Sequence, residues 1–316
     1  MKTRTIATLT GAALLSLSAT TVSANGPESC QSVGLANVNW TGVTIKSEVM
    51  DYLLEMLGYE TELTTASVPI AFQSVADGQR DAFLGLWLPT QESMIRPYLD
   101  DGEIEQLSAN LEGAKYTLAV PDYVWEAGVR DFADLDDHRE RFEGRIYGIE
   151  AGNDGNAAIQ AMIDDDAFGL GDWELMESSE AGMLTQVQRS VPRDEWVAFL
   201  GWAPHPMNIN IDMRYLTGGA EYFGPNQGGA TVYTIATDGY SERCSNVGRL
   251  LEQYAYSVEE QSQAGGYVIN DEMSPIEAGQ TLIEANPALL DRWLDGVTGV
   301  DGNADAAALV RDDLGL

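Results

Sequence analysis

The sequence predicts an α/β fold. Short apolar runs typical of strands alternate with segments of helical spacing along the whole chain, a pattern typical of sheets rich in parallel strands. No repeat, low-complexity tract or proline-rich linker interrupts this alternation. Removing a predicted 24-residue leader from the 316 residues leaves about 292, enough for one large domain or two lobes. If there are two lobes, the chain must cross between them inside ordered strands.

The predicted elements follow one another in this order. The first helix is predicted over 47–57, with Ser47 at its N-cap, apolar residues at helical spacing and Gly58 at its end. A strand over 59–63 is followed by a helix over 68–76, strands over 81–86, 116–120 and 145–150, a helix over 157–162, a strand over 232–237, and helices over 246–258 and 275–285.

The N-terminus has the pattern of a secretory signal peptide. Lys2 and Arg4 precede an apolar stretch over 6–17, and small residues at 22 and 24 match a cleavage site. We expect cleavage after Ala24 and export of the remaining chain. The apolar stretch is too short for a convincing membrane span, and no later segment approaches the required length.

The chain is strongly acidic. It contains 50 Asp and Glu against 17 Lys and Arg, a formal net charge of −33. The acids are scattered along a chain that is 44% hydrophobic, which indicates a folded acidic globule and not a disordered tail. A protein with so large a negative charge repels nucleic acids and anionic membranes, which are therefore poor binding partners for it. In an exported protein this composition indicates a saline habitat, where salt screens the self-repulsion.

Two cysteines, Cys30 and Cys244, lie far apart in the sequence. In an exported protein they predict one disulfide; the alternative is two unpaired buried thiols. A disulfide would place the start of the exported chain and its last third in one folded unit.

Three strand-like apolar runs end in a tryptophan, at Trp40, Trp87 and Trp202. In an open α/β sheet, ligands bind beyond the carboxyl ends of the strands. Three indoles at that edge would form a cage suited to a cation without hydrogen-bond donors, above all a quaternary ammonium. The alternative is that each indole is a large hydrophobe that covers the end of the sheet.

A loop rich in Gly and Asn over 152–156 lies between a predicted strand and a predicted helix. Backbone N–H groups and Asn side chains converge there, which favours an oxygen acceptor such as a carboxylate or a hydroxyl. The alternative is an ordinary turn in which Asn153 caps the helix.

Signals of catalysis are few. Of two histidines, His138 is predicted on a solvated helix face. His205, close to Trp202, is predicted to hydrogen-bond behind the site and not to act as a general base. No G-x-S-x-G or H-E-x-x-H motif is present. We expect no catalytic residue, no metal and no cofactor.

Several long segments resemble the substrate-binding proteins of bacterial choline and glycine-betaine ABC transporters, over nearly the whole chain after the leader. The resemblance is carried by residues 67–69, 83–90, 111–119, 146–150, 152–156, 177–180 and 199–208. It implies a type II periplasmic binding protein, with two α/β lobes joined by two crossover segments and a ligand cleft between them. We place lobe 1 at residues 25–117 and 230–316, and lobe 2 at residues 118–229.

The resemblance also implies a function and a site. The function is that of a monomeric periplasmic protein that captures choline or glycine betaine and delivers it to an ABC permease, for osmoprotection or nutrition. The two cysteines match a disulfide of that family. The family's aromatic box and polar contact correspond to Trp40, Trp87, Tyr116, Trp202 and Asn153; Asp154, Asn156, His205 and Gly42 are expected in contact with the ligand or just behind it.

One position departs from the family pattern. Choline-binding members carry an Asp two residues after the first box tryptophan, whereas this chain has Gly42 there. Loss of a carboxylate weakens the attraction for a net cation more than for a zwitterion. We therefore expect the affinity for choline to be lowered more than the affinity for glycine betaine.

Two functions of other classes remain open on the sequence. One is an exported hydrolase that acts on choline esters with a serine and His205. The other is a sensor-type module that presents its ligand to a receptor instead of a permease.

Overall fold

The computed structural model describes residues 28–316, so the predicted signal peptide lies outside the described residues. Within them the chain forms nine strands: β1 Ser32–Asn37, β2 Glu60–Thr65, β3 Ala82–Leu88, β4 Ile104–Pro121, β5 Arg145–Tyr147, β6 Glu174–Met176, β7 Ala198–Ala203, β8 Met213–Tyr215 and β9 Gly229–Thr237.

Helices alternate with these strands and follow the last of them. They are α1 Thr41–Met56, α2 Val68–Ala76, α3 Glu92–Asp100, α4 Asp122–Glu126, α5 Asp154–Asp164, α6 Glu180–Ser190, α7 Met207–Asn210, α8 Ala220–Phe223, α9 Pro225–Gly228, α10 Tyr240–Arg243, α11 Ser245–Gln253, α12 Val258–Ile269, α13 Pro275–Ala285, α14 Ala288–Trp293 and α15 Ala306–Leu314. Short 3₁₀ helices cover Glu28–Cys30, Phe132–Asp134, Asp136–His138, Ala167–Asp172 and Val191–Arg193. Between residues 28 and 316, none of the helices is long and apolar enough to cross a bilayer.

The strands form one mixed sheet in the order β2-β1-β3-β9-β4-β7-β5-β6, with β8 paired to β4. β1 is parallel to β2 and β3, and β5 is parallel to β6 and β7. β4 and β9 pair antiparallel with their neighbours. The sheet is therefore less parallel than the sequence predicts, because β9 runs antiparallel to β3 and to β4, and β4 runs antiparallel to β7.

β4 connects the two parallel groups within one strand of 18 residues. Its N-terminal part pairs with β9, and its C-terminal part pairs with β7 and β8. The predicted lobe boundary at residue 117 falls inside β4, and the boundary at 230 falls at the start of β9. The assignment of residues to two lobes stays a prediction.

Helix α1 begins six residues before the predicted N-cap, Ser47. Trp40, in extended conformation (φ −110°, ψ 131°), occupies the N-cap position without a side-chain cap bond. The carboxylate of Glu180 instead accepts hydrogen bonds from the N–H of Thr41 at 3.1 Å and from its hydroxyl. A capping group from a distant segment replaces the local one, so the local sequence does not mark this end of the helix.

The predicted helix over 246–258 is two helices, α11 and α12. The chain leaves helical conformation at Tyr254, and Ser257 then begins α12 with a capping box completed by Glu260. The helix predicted over 275–285 is confirmed as α13.

Cys30 and Cys244 form the predicted disulfide, with their Cα atoms 5.4 Å apart. Both residues are buried among the apolar side chains that lie between the sheet and helices α1 and α11. The bond links the segment before β1 to the junction of α10 and α11.

Candidate ligand-binding site

A cavity lies between the start of α1, the strands β3, β4 and β7, and the start of α5. It encloses about 510 Å³, including the open space at its mouth. Its walls are mainly aromatic and apolar, and they consist of Trp40, Gly42, Val43, Lys46, Trp87, Leu111, Tyr116, Ile149, Asp154, Trp202, Pro204 and Gln261. The four predicted box aromatics all belong to this set.

The four aromatic side chains form a connected cage. Tyr116 and Trp202 are directly paired across β4 and β7, and their ring centroids are 6.3 Å apart at an interplanar angle of 79°. Trp87 lies on the other side of Tyr116, with centroids 6.0 Å apart. Trp40 completes the wall from the start of α1. None of the cation–aromatic pairs between residues 28 and 316 includes these rings, so no protein cation occupies their faces.

The position of Tyr116 depends on close contact with α5. A Cβ atom at Gly155 would lie 2.0 Å from the Tyr116 hydroxyl, so only glycine allows this approach. The hydroxyl lies 3.3 Å from Asn153 Oδ1, to which it donates. Burial, with nearby Asp154, raises the pKa of Tyr116 well above its usual value. The ring therefore stays a neutral phenol.

Three buried or half-buried carboxyl groups lie beside the cage. Glu150 accepts a hydrogen bond of 2.6 Å from the indole N–H of Trp40. Burial raises the pKa of Glu150, and the charges of Glu180 and Asp154 raise it further. Three acidic groups close enough to affect one another give this side of the cavity a negative potential, which favours a cation.

Asp154 is the acidic residue that lines the cavity itself. Gln91 connects Trp87 to Asp154. Its Oε1 accepts a hydrogen bond from the backbone N–H of Trp87 at 2.9 Å, and its Nε2 donates one to Asp154 Oδ1 at 3.1 Å. The other oxygen, Oδ2, is buried and accepts no hydrogen bond of normal geometry among the described residues. Burial raises the pKa of Asp154, and the nearby Thr90 hydroxyl and Gln91 amide oppose this shift. An unpaired carboxylate oxygen in such a wall is a site for a positive charge.

Asn153 and Asn156 lie behind the cavity wall and do not line it. Asn153 caps α5: its Oδ1 accepts the N–H of Asn156 at 2.9 Å as well as the hydroxyl of Tyr116. Asn156 bonds the backbone N–H and carbonyl of Ile149 at 3.1 Å and 3.0 Å. The predicted contact between Asn153 and the ligand stays a prediction.

His205 also lies behind the cage. Its ring contacts Trp202, with centroids 5.0 Å apart. Its Nδ1 accepts the N–H of Met207 at 3.0 Å; Nε2 therefore carries the proton and donates to Glu180 Oε1 at 3.2 Å. No serine bonds either ring nitrogen in the described part of the chain, so the alternative of a hydrolase that uses a serine and His205 gains no support from the geometry at this histidine. Through Glu180, His205 is connected to Thr41 at the start of α1.

Lys46 and Gln261 line the cavity but are missed by the sequence reasoning. Lys46 lies on the buried face of α1, between Val43 and Val49 at helical spacing. A lysine at such a position is a signal, because a lysine is almost never fully buried without a partner. Gln261, on α12, donates from Nε2 to the carbonyl oxygen of Gly42 at 3.1 Å.

The chain matches one protein family over most of its length. A sequence profile of OpuAC, described as the substrate-binding domain of ABC-type glycine betaine transport systems, matches residues 31–284. A solved ABC-transporter choline-binding protein in complex with choline is 43% identical, with a TM-score of 0.89; the match covers 91% of this chain and 99% of that one. Lactococcal OpuAC, closed and complexed with glycine betaine, is 25% identical with a TM-score of 0.75; the match covers 83% of this chain and 98% of that one.

Two further sequences are similar over shorter regions. A protein of Chromohalobacter salexigens is 53% identical over 127 residues, 40% of this chain and 82% of that protein. The glycine betaine/carnitine transport binding protein GbuC of Listeria monocytogenes is 29% identical over 164 residues, 52% of this chain and 53% of that protein. The predicted fold class, an α/β periplasmic binding protein of type II, is confirmed by the structural matches. This chain belongs to the OpuAC family of substrate-binding domains of ABC-type glycine betaine transport systems.

Proposed function

We propose that this chain captures a quaternary ammonium compound, choline or glycine betaine, in the aromatic cavity and delivers it to the permease of an ABC importer. The observation that carries the proposal is the cage of Trp40, Trp87, Tyr116 and Trp202 beside the unpaired oxygen of Asp154. A trimethylammonium group has no N–H to donate. Aromatic faces, burial and a nearby negative charge are therefore what can hold it.

The cage supplies an affinity of the required size. A desolvated cation–π contact contributes about 2 kcal/mol, so four faces contribute roughly 8 kcal/mol at most. Micromolar binding corresponds to about −8.2 kcal/mol, and association costs several kcal/mol in lost freedom. Burial of the methyl groups, at about 0.8 kcal/mol per carbon, offsets part of that cost.

The proposal includes closure of two lobes around the ligand. With lobe 1 at residues 25–117 and 230–316 and lobe 2 at 118–229, several hydrogen bonds join the lobes around the cavity. The indole of Trp40 donates to Glu150, and the amide of Gln91 donates to Asp154. Thr41, at the start of α1, donates to Glu180, and the hydroxyl of Tyr116 donates to Asn153. These contacts support a closed state in which the ligand is enclosed.

The proposal places the protein outside the cytoplasm, after cleavage of its leader, as a monomer that binds its ligand and releases it unchanged. Solved relatives hold choline and glycine betaine, which supports the ligand class. The physiological use would be osmoprotection or nutrition.

Substitution of the cage tests the proposal. We expect Trp87→Ala and Trp202→Ala each to lower the affinity for glycine betaine and choline at least about tenfold, because each removes a cation–π face and apolar surface. Trp125→Ala is the matched control, since Trp125 lies on α4, outside the cavity wall. Circular dichroism and melting temperature would show that the variants are folded. Unchanged affinity in both cage variants would contradict the proposal.

A further inference from the structure

Lys46 is a buried cation in the wall of the ligand cavity. It is 1% exposed and lines the cavity together with Trp40 and Gly42. Burial lowers the pKa of its ammonium group to about 7. Near neutral pH, a substantial fraction of molecules therefore carries a positive charge here. Capture of the trimethylammonium head by the cage gives this residue no role.

No carboxylate between residues 28 and 316 forms an ion pair with Lys46. Its Nζ donates to Asn110 Oδ1 at 2.6 Å, a neutral amide. Asn110 is held from its other side, where Nδ2 donates to the Leu84 carbonyl at 3.1 Å and to Thr234 Oγ1 at 3.0 Å. An ammonium has three N–H donors, so this one keeps donors that no carboxylate of the described residues receives.

Gly42 and Gln261 border Lys46 in the cavity wall and place no charge beside it. Gly42 lies one helical turn before Lys46, where a longer side chain would contact the lysine; the Gln261 amide lies next to this glycine, 3.0 Å from the position of a Cβ atom. Gln261 contacts Gly42 through Nε2, while its Oε1 is buried without a partner. The cavity thus contains one acidic group, Asp154, and one basic group, Lys46, besides its aromatic rings.

We infer that Lys46 binds the carboxylate of the ligand and makes the cavity specific for carboxylated quaternary ammonium compounds, of which glycine betaine is the smallest, over choline. This inference rests on the proposed function. A zwitterion offers its cationic head to the cage and Asp154 and its carboxylate to Lys46. Choline offers only a neutral hydroxyl, which leaves the ammonium of Lys46 buried beside a second cation without compensation.

The test is a calorimetric titration of glycine betaine and choline into wild type, Lys46→Met and Lys115→Met. Methionine keeps the unbranched length of the lysine side chain and removes the charge. Lys115→Met makes the same change of charge outside the cavity wall, where Lys115 contacts Gln227 at 3.4 Å. We expect Lys46→Met to lower the affinity for glycine betaine by about tenfold or more, because one charge-assisted hydrogen bond to the carboxylate is lost. Choline should bind Lys46→Met at least as tightly as wild type, and Lys115→Met should change neither affinity by more than about twofold.

The outcomes distinguish the two proposals. If wild type binds both ligands and Lys46→Met lowers the two affinities by the same factor, Lys46 does not bind the ligand's carboxylate. The inference then fails, and the proposed function stands. If wild type binds neither ligand, the proposed function fails and the inference fails with it. A loss confined to glycine betaine supports both.

A second variant tests the inference with Lys46 in place. Gly42→Asp adds a carboxylate one turn before Lys46; its Cβ would lie 3.0 Å from Gln261 Nε2, the end of a flexible side chain that can shift. The new carboxylate would pair with Lys46 and compete with the ligand's carboxylate. We expect the ratio of glycine betaine to choline affinity to fall at least about tenfold. An unchanged ratio would overturn the inference.

Discussion

The buried charge of Lys46 predicts how the stability of the ligand-free protein depends on pH. The pKa of its ammonium is lowered by burial to about 7 in the folded protein and is about 10.4 in an unfolded chain. Between these values the unfolded state binds more protons than the folded state. The free energy of unfolding therefore rises with pH across this window, by up to about 1.4 kcal/mol per pH unit, and levels off above it.

The expected size follows from the two pKa values. Between pH 7.5 and pH 9.5, Lys46 should raise the free energy of unfolding by about 2.5 kcal/mol. Tyr254 bonds the Lys46 carbonyl and Tyr256 bonds Tyr254; burial raises the pKa of both phenols, so they stay protonated in this window. Asp154, across the cavity, is present in wild type and variant alike, so its titration cancels in their difference.

The assay is urea denaturation of wild type and Lys46→Met at several pH values and constant salt. The variant also loses the bond to Asn110, but that loss does not depend on pH. The difference in unfolding free energy between the two proteins should therefore change by about 2.5 kcal/mol from pH 7.5 to pH 9.5, in favour of wild type at the higher pH. A difference that stays constant would refute a lysine with a lowered pKa and remove one support for its role in the cavity.

Two further predictions concern the scaffold of the site. Gly155→Ala should displace the Tyr116 ring and lower the affinity for glycine betaine by about tenfold or more. The melting temperature would show that the variant is folded. An affinity equal to that of wild type would show that the site tolerates displacement of the tyrosine. Replacement of Cys30 and Cys244 by serine should lower the unfolding free energy by about 5 kcal/mol, because the bond closes a loop of more than 200 residues. A loss of this size corresponds to a fall in melting temperature of about 10 °C. A melting temperature within about 2 °C of wild type would therefore contradict the prediction.

The aromatic cage is the part of the site that the sequence predicts best. Trp87 and Trp202 lie near the carboxyl ends of apolar strands, β3 and β7, and strand ends of this kind are recognisable from local patterns. The sequence predicts Tyr116 at the start of a strand, whereas the residue lies well inside β4, which begins at Ile104. The polar N-terminal part of β4 alternates weakly, so its pairing with β9 is visible only in the folded sheet.

The charged groups of the site could not be predicted in the same way, because tertiary contacts decide their roles. The start of α1 is capped by Glu180, more than 130 residues away in sequence, so helix signals at Ser47 were misleading. For the loop over 152–156 the sequence leaves open an oxygen-binding site or a turn in which Asn153 caps a helix; in the structure Asn153 caps α5, and the cavity side chain from this loop is Asp154. In a chain with 50 acidic residues, composition alone does not single out that carboxylate.

The central claim is that a positive charge on the ligand is held by the aromatic cage. The most direct measurement is a calorimetric titration of residues 25–316 with glycine betaine and with tert-butylacetate, at low and high salt. Tert-butylacetate has the same shape and carboxylate, but a carbon replaces the charged nitrogen. At even 0.5 kcal/mol per face, four faces amount to about 2 kcal/mol, so glycine betaine should bind about thirtyfold tighter or more. Equal affinities for the two compounds, or no binding of glycine betaine at either salt concentration, would contradict the account.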